Sequence, residues 1–191
     1  MTPFLGRCPR LPQAAPLGLK ERTVHCHTPF LTNIVRHLES VMPQSHAAVL
    51  VHLVFSTKHR QPLITSDIEP ELFPYMATVL RNIDSPSLTI NGTPDHVHLL
   101  FRLSRKHPLC DVVEEVKKTS SKWIKTKGVS FAAFQWQAGY GAFSIGESGV
   151  PALRQYIANQ KEHHRRQTFQ DEFRTFLNKY KIEFDERYVW D

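Results

Sequence analysis

PSLTINGTPDHVHLLFRL, residues 86–103, is the stretch that decides the fold of this 191-residue chain. Two runs rich in apolar and β-branched residues flank the dipeptide Asn91-Gly92, which indicates a β-hairpin when it lies between such runs. Pro86 marks the start of the first predicted strand, and the second is predicted over 96–103. The sequence therefore predicts a pair of antiparallel strands near the middle of the chain.

The segments on either side of this hairpin complete an α+β pattern. AVLVHLVFST, residues 48–57, is rich in β-branched and aromatic residues and predicts a buried strand. Helical spacing predicts helices over 67–83 and about 108–125, and a last strand or strand pair is predicted over 131–144. This order is that of the ferredoxin-like split βαβ fold, an antiparallel sheet with both helices on one face. The opposite face of the sheet is then expected to be free to face something else.

The two ends of the chain differ from this central pattern. Two C-terminal helices are predicted, over about 148–166 and 169–179. Residues 1–41 carry five prolines, which predict a poorly ordered extension with one short helix near its end. A start codon placed too far upstream, with Met42 as the working start, explains this segment equally well. The domain that carries the chemistry is predicted to span 42–191.

Charge and cysteine usage restrict the partners and the compartment. Lys and Arg number 24 against 18 Asp and Glu, a net charge of +6 with His neutral, which favours a polyanion as partner. The longest apolar stretch, 47–55, is far shorter than the roughly 20 residues that cross a bilayer, so no membrane association is expected. Three cysteines without CxxC spacing favour a reducing compartment, and we expect a cytoplasmic protein.

The predicted second hairpin strand carries a histidine pair. His96 and His98 are two residues apart, so on a strand their side chains lie on the same face. Such a pair could hold one divalent ion. A lone HxH pattern is more often a pair of exposed or hydrogen-bonded core histidines. Of the neighbouring candidates, Asp95 is interpreted as a turn residue and His52 as structural.

A tyrosine and a glutamine are spaced for one face of a predicted helix. Tyr156 and Gln160 are four residues apart and so lie one turn from each other. Alone, they indicate a surface pair. Together with the histidines, the carboxamide oxygen could complete three protein ligands on Mg²⁺ or Mn²⁺, leaving positions for a phosphate oxygen and water. The tyrosine could then attack that phosphate. His164, one turn beyond Gln160, is the rival third ligand.

At these residues the chain resembles the single-tyrosine HUH transposases of the insertion-sequence 200-like type, from about Met42 to the C terminus. The resemblance implies Tyr156 as nucleophile, and His96, His98 and Gln160 as metal ligands. It further implies single-stranded DNA with hairpin ends as substrate, a 5′-phosphotyrosine intermediate and a homodimer whose tyrosine helix can serve the partner's site. The motifs that carry it are VHLVFSTKHRQPLI, PDHVHLL, KKTSSKWIK, FQWQAGYGAFSIGES, YIANQKEHH and DERYVW.

Two basic clusters are predicted to follow a DNA backbone. A solvated lysine face explains the first cluster equally well, and the preference of cations for a helix C terminus explains the second. The clusters are Lys117, Lys118, Lys122 and Lys125 on the second helix, and Lys161, Arg165 and Arg166 at the end of the tyrosine helix.

Three other functions stay open at this stage. A domesticated relative would cut repeats without moving an element. A non-catalytic module would bind nucleic acid through exposed aromatic residues on its sheet. A hydrolytic metalloenzyme would use a water nucleophile and would not need Tyr156.

Overall fold

One antiparallel sheet of four strands forms the centre of the computed structural model, which describes residues 46–190. The strands are β1 (Leu50–Ser56), β2 (Ser87–Gly92), β3 (His96–Arg102) and β4 (Gly141–Ile145), and their order in the sheet is β2-β3-β1-β4. β3 pairs with both β1 and β2, and β1 also pairs with β4. This is the strand order of the split βαβ arrangement, so the predicted ferredoxin-like α+β fold is confirmed. The predicted extension over 1–41 and its short helix lie outside the described residues.

The turn of the central hairpin lies two residues later than the sequence predicts. Asn91 and Gly92 still pair in the sheet, with His98 and Val97 respectively. Residues 93–95 form the connection, and the backbone N–H of Thr93 donates to the carbonyl of His96 at 3.0 Å. A Cβ on Gly92 would lie only 2.4 Å from that carbonyl oxygen, so the glycine is required by close approach of the two strands rather than by a tight turn.

Two helices cover one face of the sheet, as predicted. They are α1 (Glu69–Asn82) and α2 (Leu109–Lys125). Alternate residues of β1 and β3 point toward them because successive strand side chains lie on opposite faces. The resulting core is fully apolar and buried; it includes Leu53, Phe55, Val97, Leu99 and Phe101 from the strands and Leu72, Met76, Leu80, Val112 and Val116 from the helices.

The other face of the sheet is covered by the C-terminal helices, so the expectation that it stays free is wrong. These helices are α3 (Val150–Ala158), α4 (Gln160–His163) and α5 (Phe169–Lys179). The uncovered face would expose apolar side chains of β1, β3 and β4, and their burial favours the closed arrangement. The packed side chains are Val54 and Phe143 with Phe169, Phe173 and Leu177, and Leu50 and Leu100 with Val150 and Ile157.

Two predicted element boundaries change. The helix predicted over 148–166 is interrupted at Asn159, and the side chain of Asn91 donates to the carbonyls of the preceding turn, at 2.8 Å to Ile157 and 3.1 Å to Ala158. The last strand begins only at Gly141, and residues 129–131, where the predicted strand would start, form a short 3₁₀ turn. Within residues 46–190 no helix is both long and apolar enough to cross a bilayer.

Candidate metal and tyrosine site

The histidine pair lies on β3, at the face that the C-terminal helices cover. His96 and His98 are 1% and 0% exposed. Their rings meet His164, which directly follows α4, and Glu172 from α5. One ligand atom from each of these four residues lies within 4.8 Å of all the others. Elements distant in sequence therefore bring three imidazoles and one carboxylate to a single buried point.

Each of the three imidazoles is anchored through its Nδ1 atom. His96 Nδ1 donates to the Asp95 carboxylate at 2.8 Å, and His164 Nδ1 donates to the carbonyl of Gln167 at 3.0 Å. His98 Nδ1 lies 3.0 Å from Nε2 of His52 on the neighbouring strand β1. In the tautomer with a proton on each Nδ1, all three Nε2 lone pairs face the centre. Anchoring of this kind is typical of histidines that bind metal ions.

The carboxylate of Glu172 uses its two oxygens on different partners. Oε2 lies 3.1 Å from Nε2 of His164, 3.4 Å from Nε2 of His98 and 3.7 Å from Nε2 of His96. Oε1 accepts a hydrogen bond from the hydroxyl of Tyr156 and another, at 3.0 Å, from Nε2 of Gln160. Glu172 thus links the imidazole cluster to the tyrosine.

Burial and the neighbouring groups shift the pKa values of the titratable residues in this site. Burial alone would raise the pKa of Glu172, but the adjacent His164, His98 and Tyr156 side chains hold that pKa well below its usual range. Burial lowers the pKa of His98 to about 4. Burial and the adjacent negative charge of Glu172 raise the pKa of Tyr156 above its ordinary value. At neutral pH the cluster therefore presents a carboxylate, a neutral His98 and a neutral phenol.

Gln160 is fully buried and follows the tyrosine helix directly after the interruption at Asn159. Its carboxamide nitrogen faces Oε1 of Glu172. Its carboxamide oxygen has no hydrogen-bond partner among residues 46–190, and the same is true of Nε2 of His98. Two orphaned polar atoms in a buried site are costly unless something binds them, so they fit a cation-binding site.

Glu172 is the residue that sequence reasoning missed. Phe169, Phe173 and Leu177 form the buried stripe of α5, and Glu172 lies on that same face at 2% exposure. An acid on the apolar face of an amphipathic helix is the signal that could have identified it. His52, interpreted from sequence as structural, is the hydrogen-bond partner that orients His98.

The predicted DNA-binding residues fall into two environments. Lys117 directs its ammonium at the protein's own backbone, with three carbonyl oxygens within 3.1 Å, and burial lowers its pKa to about 8. Lys118, Lys122 and Lys125 are exposed on α2. At the other cluster Lys161 pairs with Glu69, and Arg165 and Arg166 pair with Glu162. Their contacts with DNA stay predictions.

Comparison with known proteins identifies the class of this protein, which is that of the transposases. A model of the family described as "Transposase IS200 like" matches residues 45–160, more than half of the chain, and the chain belongs to that family. His164 and Glu172 lie beyond the matched residues.

Two relatives illustrate the similarity. The ISDra2 transposase TnpA of Deinococcus radiodurans is 21% identical over 116 residues, which cover 58% of this chain and 83% of that protein. A solved REP-associated tyrosine transposase bound to a REP hairpin is 15% identical, covers 65% of this chain and 74% of its own, and superposes with a TM-score of 0.49.

Proposed function

We propose that this transposase cleaves and rejoins single-stranded DNA through a covalent bond between Tyr156 and a 5′-phosphate, with a divalent ion and at sites marked by hairpin ends. The observation that carries the proposal is the meeting of the Tyr156 hydroxyl and the strand histidines at one carboxylate, that of Glu172. A nucleophile beside a cation-binding cluster suits a reaction at a phosphate.

The cleavage step balances within the proposed chemistry. The Tyr156 oxygen attacks the phosphorus while the bond between phosphorus and the 3′-oxygen breaks. The phenol gives up one proton and the 3′-oxygen takes one up, which leaves a 5′-phosphotyrosine and a free 3′-hydroxyl. Attack of a 3′-hydroxyl on the phosphotyrosine restores a phosphodiester. Rejoining needs no ATP because the energy of the phosphodiester is kept in the covalent intermediate.

The donor set of the site fits a divalent ion, for which Mg²⁺ and Mn²⁺ are the candidates. His96 and His98 would hold the ion, with the third ligand drawn from Gln160 and His164, both of which contact the Glu172 carboxylate. When bound, the ion would polarise the scissile phosphate and stabilise the charge of the transition state. The chain's own part is to keep these groups together, buried and oriented by the Nδ1 hydrogen bonds.

The proposed substrate is attracted by positive charge. Lys118, Lys122 and Lys125 present exposed ammonium groups, and a chain with net charge +6 attracts a polyanion. A module that binds nucleic acid by stacking bases on an open sheet is less well supported, because α3 and α5 cover the face that carries the histidines. The homodimer implied by the resemblance stays part of the proposal.

A covalent-adduct assay tests the function. Labelled single-stranded DNA with a hairpin is incubated with the protein and Mg²⁺ or Mn²⁺, and an adduct that resists denaturation is expected. Tyr156→Phe should abolish it, whereas Tyr188→Phe, a change at a tyrosine 70% exposed, should not. Cleavage that survives Tyr156→Phe would show a water nucleophile, and binding without cleavage would show a non-catalytic module. Nicking of repeats without strand transfer would indicate a domesticated relative.

A further inference from the structure

We propose that a cavity beside the imidazole cluster binds the nucleotide that carries the leaving 3′-oxygen, with the guanidinium of Arg60 on the 5′-phosphate of that nucleotide. The inference rests on the proposed function for the direction in which the DNA strand runs. It concerns the part of the strand next to the cleaved bond and assigns no ligand of the ion.

Three segments of the chain enclose this cavity, which has a volume of about 540 Å³. They are the connection from β1 to α1, which supplies Arg60 and Pro62, the turn over 93–95 between β2 and β3, and the segment from Lys161 to Phe169 that leads from α4 into α5. A volume of this size is typical of cavities that hold small ligands. The cavity is therefore large enough to be considered as a binding site in its own right.

The cavity reaches the imidazole cluster away from the tyrosine. His164 and Phe169 belong to its lining, and their ring centroids lie 4.4 Å and 4.5 Å from that of His96. Tyr156 is not part of the lining, and its hydroxyl contacts Glu172. In an in-line displacement the leaving oxygen lies opposite the nucleophile. A phosphate attacked by Tyr156 therefore directs its 3′-oxygen, and the nucleotide attached to that oxygen, toward the cavity.

Arg60 is the side chain of the lining that is best suited to a phosphate. It is half-buried, and its guanidinium has no hydrogen-bond or ion-pair partner among residues 46–190. The other two permanent cations of the lining are already paired, Lys161 with Glu69 and Arg165 with Glu162. A guanidinium presents a planar set of donors that matches the oxygens of a phosphate. Arg60 is therefore available to an anionic ligand in the cavity.

The backbone holds Arg60 in an unfavourable conformation. The angle φ is 56° at His59 and 54° at Arg60, in the left-handed region that residues with a Cβ rarely adopt. Hydrogen bonds fix this turn, from the N–H of Arg60 to the carbonyl of Thr57 at 3.0 Å and from the N–H of Lys58 to the carbonyl of Gln135 at 2.8 Å. Backbone strain of this kind is concentrated at sites that bind ligands.

The charge of the lining favours an anion. Arg60, Lys161 and Arg165 face one carboxylate, that of Asp95. Oδ1 of Asp95 already accepts hydrogen bonds from the hydroxyl of Thr93 at 2.7 Å and from Nδ1 of His96 at 2.8 Å. Its negative charge is thus partly compensated, and the cavity presents more positive than negative charge.

Binding of single nucleotides to the unmodified chain without a metal ion tests the inference independently of cleavage. The probes are the four deoxynucleoside 5′-monophosphates and the corresponding nucleosides, and dissociation constants are measured by nuclear magnetic resonance titration. Saturable shifts are expected at the backbone amides of Thr93, Asp95 and Thr168, which line the cavity. Arg60→Ala should weaken binding of the 5′-monophosphates at least about tenfold, because a charge-assisted hydrogen bond is lost, and should change binding of the nucleosides less than about twofold.

Matched variants separate this role from general effects. Arg81→Ala removes an exposed arginine from α1 and should leave all affinities unchanged. Pro62→Trp adds bulk to the lining without changing its charge and should weaken binding of nucleosides and 5′-monophosphates alike. Thermal unfolding checks that each variant folds. The inference is overturned if no 5′-monophosphate shifts the amides of the cavity, if Arg60→Ala weakens nucleosides as much as 5′-monophosphates, or if Pro62→Trp changes neither.

Neutral phosphate analogues test the direction of the strand. In DNA whose cleavage position has been mapped, a methylphosphonate one nucleotide to the 5′ side of the cleaved phosphate should reduce adduct formation about tenfold with the unmodified chain and cause no further loss with Arg60→Ala. The same change on the 3′ side should add to the effect of Arg60→Ala. The reverse pattern would overturn the assignment. Nucleotide binding in the cavity without any covalent DNA adduct would refute the proposed function alone.

Discussion

The hydroxyl of Tyr156 donates a hydrogen bond to Oε1 of Glu172, whose other oxygen faces three imidazoles. A phenol with an ordinary pKa near 10 is ionised in only about one molecule in a thousand at pH 7, and burial and the carboxylate raise the pKa of Tyr156 further. The contact therefore holds Tyr156 as a neutral phenol at the edge of the cluster. If Tyr156 is the nucleophile proposed above, it would become reactive once the carboxylate is drawn toward another partner.

The first prediction is that each chain uses its own tyrosine. Tyr156 and Glu172 belong to one polypeptide, and the site is assembled without a second copy. Mixing Tyr156→Phe protein with His98→Ala protein should therefore give no covalent DNA adduct. A mixture of unmodified and doubly substituted protein provides the control for dilution. Adduct formation in the mixture of single variants would show that tyrosine helices are exchanged between protomers.

The second prediction concerns the packing of α5 against Gly141 of β4. A Cβ on Gly141 would lie 2.6 Å from Cε2 of Phe173, the neighbour of Glu172, so Gly141→Ala forces the aromatic ring and its helix outward. We expect a loss of about 1–3 kcal/mol in the free energy of unfolding. Gly146→Ala, whose Cβ would meet only Ser148 Oγ at 4.0 Å, should change stability by about 0.5 kcal/mol or less. Equal effects at the two glycines would contradict the close packing.

The third prediction separates the lysines of α2 by the salt dependence of DNA binding. Replacing Lys118, Lys122 or Lys125 by Ala should each reduce the slope of log K against log salt by about 0.7 on single-stranded DNA, because one phosphate contact is lost. Lys117→Met should leave the slope unchanged, since its ammonium is bound by backbone carbonyls. Binding isotherms at several salt concentrations provide the measurement. A slope altered only by Lys117→Met would reverse the assignment.

The fourth prediction is a pH effect on stability from Lys117. Burial lowers its folded-state pKa from 10.5 to about 8. Between about pH 8 and 10.5 the unfolded chain binds more protons at this residue than the folded chain, so its contribution to the free energy of unfolding increases with pH. Denaturant unfolding of the unmodified chain and of Lys117→Met at pH 7 and pH 10 should show the unmodified chain gaining relative to the variant. An unchanged difference would mean that the three carbonyl contacts offset burial.

Local sequence patterns were sufficient for the fold and for part of the site. The hairpin around Asn91-Gly92 and the helical spacing on either side predict the sheet and its strand order, because these signals depend on neighbours in sequence. The predicted position of the turn was wrong because Gly92 is required by the close approach of two strands. The Asn-Gly pattern does not distinguish this requirement from a turn. The prediction that one sheet face stays free was also wrong, because the packing of α5 on β4 depends on tertiary contacts that local patterns do not specify.

The site, like the fold, has a part that local sequence patterns predict and a part that they do not. The strand spacing of His96 and His98 and the helical spacing of Tyr156 and Gln160 are local, and the structure places all four side chains around Glu172. The convergence of Glu172 on the imidazoles is not local, because it depends on how α5 lies across the sheet. Only its occurrence on an otherwise apolar helix face hints at it in the sequence.

The position of α5 outside the segment matched by the family model has an evolutionary consequence. The sheet and the histidine strand lie within the matched segment, whereas the carboxylate that accepts the hydrogen bond from Tyr156 comes from a helix beyond it. A family member with a different residue at the position of Glu172 would keep the histidine pair but lose this contact. Relatives that share the strand histidines would then differ in how firmly the tyrosine is held before DNA arrives.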